Sequence, residues 1–92
     1  MSRIKIGVLG AGHLGKIHIR LLKEIEAFDL VGFYDPNEVV AEKISAAFGI
    51  PCFASIADLI EAVDAVDIVS PTVTHYENAL EAVQAGKHIF VE

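Results

Sequence analysis

Tryptophan is absent from this 92-residue chain, and cysteine occurs once, at position 52. A lone Cys52 has no partner within the chain, so a disulfide scaffold is excluded, and a small buried thiol is the expectation. No set of cysteines and histidines has metal-ligand spacing, so no zinc site is expected. No apolar run approaches the length that crosses a bilayer. The opening Met1-Ser2-Arg3-Ile4-Lys5-Ile6 breaks its hydrophobicity with charge and lacks the long apolar region of a signal peptide. Linkers, internal repeats and low-complexity stretches are missing as well. Positive charge is scarce in the second half, where residues 47–92 hold only Lys87 against seven acids. Residues 1–46 balance six bases with six acids, so the formal net charge of −6 arises entirely in the second half. Such a chain repels phosphate backbones, which argues against nucleic-acid and anionic-membrane binding. Together these absences point to a reducing, cytoplasmic setting.

What is plentiful is apolar surface. The hydrophobic fraction is 53% against 22% charged, and the mean hydropathy is +0.50. That composition buries enough apolar area to offset the entropy of ordering, so a folded core is expected and disorder is not. The length allows a single domain, residues 1–92.

The pattern of apolar residues alternates between two periods. Arg3 to Leu9 reads as a strand, and Leu30 to Tyr34 as a second. Between them Leu14, Ile17, His18, Leu21, Leu22 and Ile25 form a stripe at helical spacing, predicted to be the buried face of a helix. Lys16, Arg20 and Lys23 read as a solvated face of the same helix. Asp35-Pro36-Asn37-Glu38 signals a helix start, with Val40, Ile44, Ala47 and Phe48 as its buried stripe and Gly49 as its end. Residues 51–54 form a short third strand candidate, and Ser55 caps a brief helix through Leu59 and Ile60. Ala65 to Ser70 is a fourth strand. Thr74 and Glu77 form a capping box before Tyr76, Ala79, Leu80 and Val83, Gly86 ends that helix, and Lys87 to Val91 is a fifth strand. Strands alternating with helices require crossover connections, hence a doubly wound parallel α/β sheet with five strands in the order 3-2-1-4-5.

Chemistry concentrates where the first strand ends. Gly10-Ala11-Gly12-His13-Leu14-Gly15 is a full G-x-G-x-x-G, placed after a strand and opening a helix. Gly10 permits a tight turn, Gly12 keeps a side chain from coming between backbone and pyrophosphate, and Gly15 allows close helix packing. The N–H groups around His13 and Leu14 then meet the phosphates, aided by the helix dipole. Asp35 lies twenty residues beyond Gly15, where a carboxylate accepts both hydroxyls of an adenine ribose and repels a 2′-phosphate. No Arg or Lys falls between Asp35 and Lys43. NAD is therefore preferred over NADP. The plainer reading of Asp35 is that it caps the following helix, and the two roles are compatible. Of the histidines, His13 matters through its backbone, His18 reads as a packed, hydrogen-bonded core residue, and His88 as a structural residue opening a strand. Ser70-Pro71-Thr72 leaves the fourth strand at the topological switch point, with His75 beside it, and is expected to line the cofactor; the plainer reading is that Pro71 ends the strand and Thr74 caps a helix.

These residues also carry a resemblance. GVLGAGHLGKIH, YDPN and VDIVSPTVTHYENALEAVQAGKHIFVE resemble the N-terminal cofactor domain of the glucose–fructose oxidoreductase, inositol dehydrogenase and rhizopine-catabolism (Gfo/Idh/MocA) family, and the resemblance covers essentially the whole chain. The resemblance implies a Rossmann fold in which Ser70, Pro71 and Thr72 contact the dinucleotide. It matches His75 to a histidine of the family pattern and Glu92 to the glutamate of a Glu-Lys-Pro motif near the nicotinamide. It further implies a sugar, inositol or related polyol as substrate. The catalytic lysine and the substrate domain of that family would follow Glu92, so the expectation is a truncated domain that binds NAD without turnover. A non-catalytic NAD-sensing module and a structural scaffold that has lost its ligand are the alternatives. An apolar edge at the fifth strand is expected to drive self-association.

Overall fold

The computed structural model describes residues 3–69 and 81–91. Ser70, Pro71, Thr72, Thr74, His75, Tyr76, Glu77, Ala79, Leu80 and Glu92, all named above, lie outside the described residues. The described chain runs β1 (Ile4–Leu9), α1 (His13–Glu24), β2 (Phe28–Tyr34), α2 (Glu38–Phe48), α3 (Ile56–Ala62), β3 (Ala65–Ile68) and β4 (His88–Val91), with residues 81–84 helical before β4. Every strand pairing is parallel, and the order is β2-β1-β3-β4.

Alternation along the strands divides the core between the two faces of the sheet. Ile6, Val8 and Ala65 meet Ile19 and Leu22 of α1 and Ile44 of α2. Leu9, Val66 and Ile68 point the other way, against Leu59 and Ile60 of α3, Val63 and Ala82. Parallel strands covered on both faces are nearly continuously apolar, and β3 has all four residues buried, Asp67 among them. Among the described residues no helix is long and apolar enough to cross a membrane.

Helix boundaries follow local chemistry. Ser55 caps α3 by accepting the Asp58 N–H at 3.1 Å, and Gly49, at φ 67°, ends α2 in the left-handed region. The cap of α2 departs from the plainer reading of Asp35. Asn37, not Asp35, accepts the N–H groups of Val39 and Val40, at 3.0 and 3.2 Å. Asp35 is thereby released from capping.

Three expectations are corrected. Among the described residues the sheet has four strands, in the order β2-β1-β3-β4, and not five in the order 3-2-1-4-5. Residues 51–54 contribute one isolated parallel bridge, Phe33 to Cys52. The Phe33 N–H bonds the Pro51 carbonyl at 3.1 Å and the Phe53 N–H bonds the Phe33 carbonyl at 2.8 Å. Pairing stops there because Pro51 has no amide to donate and Ser55 already caps the next helix. Second, α1 buries Gly15, Ile19 and Leu22, while Leu14, Ile17, Leu21 and Ile25 of the expected stripe are 44%, 36%, 52% and 42% exposed. Third, Cys52 is half-buried where a buried thiol is expected; His88 opens β4 as expected, with its side chain exposed.

Candidate functional site

The chain reverses its direction of travel across the sheet between β1 and β3. It first moves from β1 outward to β2, then returns to place β3 on the other side. The crevice at the carboxyl ends of β1 and β3 is the topological switch point, where open α/β sheets bind ligands. Leu9 ends β1 there, beside Ile68, and its carbonyl accepts the Val69 N–H at 2.8 Å.

The glycine turn is built over this crevice. Gly10 takes φ 99°, a conformation that L side chains rarely adopt, and its N–H bonds the Tyr34 carbonyl at 2.8 Å. Gly12 is the N-cap of α1, and no side chain caps that helix end. The first helical bond runs from the Lys16 N–H to the Gly12 carbonyl at 2.8 Å, so the N–H groups of His13, Leu14 and Gly15 precede the ladder. The first turn carries no acidic residue. An uncapped helix start with aligned N–H groups is an anion site, and no carboxylate from this turn competes for it.

The three glycines differ in what holds them. A Cβ on Gly15 would lie 1.9 Å from the Gly10 carbonyl oxygen, so α1 approaches its own preceding turn more closely than any side chain permits. Among the described residues, a Cβ on Gly12 would meet nothing within 4 Å. Protein packing explains Gly15. It does not explain Gly12, whose missing side chain leaves an open cradle in front of the helix N-terminus.

Asp35 completes the arrangement from the end of β2. One carboxylate oxygen accepts the Ala11 N–H at 2.8 Å, and the other accepts the Asn37 N–H at 2.8 Å. A carboxylate offers about four acceptor positions, so two remain for hydroxyl donors. The group is half-buried and fixed from both sides, which suits a recognition role better than a mobile surface acid would.

Gly10, Gly12, His13, Leu14, Gly15 and Asp35 are thus brought together, with the His13 ring and the Leu14 side chain exposed. Ser70, Pro71, Thr72, His75 and Glu92 lie outside the described residues. The sequence reading missed Ala11, Tyr34 and Asn37, which act through backbone groups. Asn37 alone carried a signal, as an N-cap residue directly before the helical pattern.

Residues 4–92 match the oxidoreductase family with an NAD-binding Rossmann fold, Gfo/Idh/MocA. The chain is 38% identical over 88 residues to glucose-6-phosphate 3-dehydrogenase of Bacillus subtilis, covering 96% of this chain and 25% of that protein. It superposes on UDP-N-acetylglucosamine 3-dehydrogenase of Acidithiobacillus ferrooxidans with a TM-score of 0.90 at 38% identity, over 99% of this chain and 30% of that one. Scyllo-inositol dehydrogenase of Lactobacillus casei, solved with NAD(H) and scyllo-inositol, gives 0.89 at 32% identity, over 98% of this chain and 28% of that one. The chain therefore spans between a quarter and three-tenths of the length of these relatives.

The contrast between Gly12 and Gly15 is open to test. Gly15→Ala is expected to destabilise the fold by about 1–3 kcal/mol or more, as overpacking against rigid backbone does. Gly12→Ala is expected to cost about 1 kcal/mol or less, yet to lower dinucleotide affinity at least about tenfold. Thermal unfolding and calorimetric titration of both variants separate the two effects.

Proposed function

The chain belongs to the oxidoreductase family with the NAD-binding Rossmann fold, and from that membership we propose that its glycine turn and Asp35 hold NAD for oxidation of a sugar or polyol hydroxyl. The observation that carries this reading is the uncapped start of α1 behind Gly12, with Asp35 clamped beside it. In this reading the N–H groups of His13, Leu14 and Gly15 hold the pyrophosphate. The free acceptor positions of Asp35 take the hydroxyls of the adenine ribose. Ser70, Pro71 and Thr72, with His75 and Glu92, serve the ribose and nicotinamide side. Bound there, the nicotinamide supplies a hydride acceptor for a carbinol carbon.

The substrate class rests on the relatives, whose names specify sugar phosphates, nucleotide sugars and inositols. Those proteins are more than three times as long as the matched region. The reading therefore assigns cofactor binding to these 92 residues and turnover to a longer assembly. The half-buried free thiol of Cys52 fits a reducing cytoplasm.

Charge decides between the two dinucleotides. A 2′-phosphate on the adenine ribose would meet the Asp35 carboxylate, so NAD is expected to bind at least about tenfold tighter than NADP. Asp35→Ser removes the repulsion and the ribose acceptor together, and is expected to narrow that ratio by weakening NAD. Calorimetry with both dinucleotides checks this. Absence of binding at millimolar NAD, or a preference for NADP, contradicts the proposal.

The exposed Leu14, Ile17 and Leu21 on α1, with Phe90 half exposed on the edge strand β4, also support self-association. In this reading two copies pair their apolar stripes about a two-fold axis. Sedimentation is expected to show mass rising with concentration, and Leu21→Glu is expected to leave a folded monomer. A parent chain that stays monomeric at high concentration contradicts this part.

A further inference from the structure

One buried charge takes no part in the proposed cofactor contacts. Asp67 is 6% exposed in the middle of β3, and its neighbours across the sheet are Val8 on β1 and Phe90 on β4. Its carboxylate oxygen lies 2.6 Å from Nδ1 of His18, which comes down from α1 with a side chain 20% exposed. Removing a carboxylate from water is costly, and an apolar pair of similar volume commonly gives equal or greater stability. Stability alone therefore gives little reason for Asp67 to stand where valine or isoleucine would fit.

Among the described residues, the other attachments of α1 are the close approach of Gly15 to Gly10 and contacts of another kind. Ile19 and Leu22 pack apolar surface, which is strong but without preferred direction. The Lys23 ammonium bonds the Phe48 carbonyl, tying the far end of α1 to α2 rather than to the sheet. The His18–Asp67 bond is directional. It begins one helical turn below Leu14 and ends on the strand that borders the switch point. Side chains on a helix lean toward its N-terminus, so a bond at His18 constrains the first turn as well as the second. That first turn carries the N–H groups of His13 and Leu14.

We infer that His18 and Asp67 are a positioning pair, whose bond fixes the rotation of α1 on the sheet and so aims its N-terminal amides at the dinucleotide pyrophosphate. The inference rests on the NAD reading above. Its structural part is separable: with the pair removed, the helix would still pack through Gly15, Ile19 and Leu22, but its rotation would be held less tightly. Productive dinucleotide geometry tolerates only small errors of this kind.

The double variant His18→Leu/Asp67→Leu removes both polar groups of the pair together. Its thermal midpoint is expected to equal or exceed that of the parent. Residual dipolar couplings of the α1 amides are expected to change while those of β1 and β3 stay fixed. NAD affinity is expected to fall about tenfold. His18→Asn, which keeps a donor near the Nδ1 position, is expected to preserve both the couplings and the affinity, and it serves equally if the double variant does not fold. Unchanged α1 couplings in a folded double variant overturn the inference. So does parental NAD affinity in that variant, or loss of affinity in His18→Asn with its couplings intact. A parent that fails to bind NAD sinks the cofactor reading instead, and the couplings still decide whether the pair orients the helix.

Discussion

Helix α1 lies against the turn that launches it, and the rest of the site depends on that contact. With hydrogen at the α-carbon of Gly15, the helix settles where any β-carbon would fall 1.9 Å from the Gly10 oxygen. This closeness brings the start of the helix over the carboxyl end of β1 and turns Gly15, Ile19 and Leu22 toward the sheet. Together with the His18–Asp67 bond, it sets which N–H groups look into the crevice. Neither helix propensity nor hydrophobic burial would choose this rotation, since the flank bearing Leu14, Ile17 and Leu21 is the more apolar one.

Around that contact the backbone polar groups are satisfied by neighbours chosen for position. Tyr34 and Asp35, at the end of β2, take the N–H groups of Gly10 and Ala11. Asp35 also takes the Asn37 N–H, so the turn after β1 and the start of α2 are held by one carboxylate. Asn37 relieves Asp35 of capping. The amides of His13, Leu14 and Gly15 precede the helical ladder, beside the open space before Gly12. Among the described residues no side chain caps this helix start, an arrangement that suits an anion.

Much of this is legible in the amino acids themselves. The G-x-G-x-x-G between a strand and a helix, followed by Asp35, marks the turn and its partner, because each residue is required by local backbone geometry or charge. The alternation of strand and helix patterns gives the parallel sheet. Ser55, Gly49 and Gly86 mark helix ends through capping chemistry that operates within a few residues. What the sequence conceals is set at longer range. The apolar stripe of α1 is as regular as a buried face, and only the approach of Gly15 to Gly10 shows that it lies on the open side. Residues 51–54 have strand composition, but Pro51 and the cap at Ser55 leave room for a single bridge. Asp67 reads as one more acid in an acidic half, and its bond to His18 spans 49 positions. Ala11 and Tyr34 contribute through backbone groups, which side-chain patterns do not reveal.

The central claim is that the start of α1 and Asp35 form the dinucleotide site. Amide chemical-shift mapping of the labelled chain during titration with NAD tests it most directly. The account expects the largest shifts at Ala11, Gly12, His13, Leu14 and Gly15. The groove of about 350 Å³ lined by Ala57, Ile60, Glu61, Glu81, Ala85 and Lys87 should stay silent. Saturable shifts confined to that groove, or no shifts at the glycine turn at millimolar NAD, would contradict it.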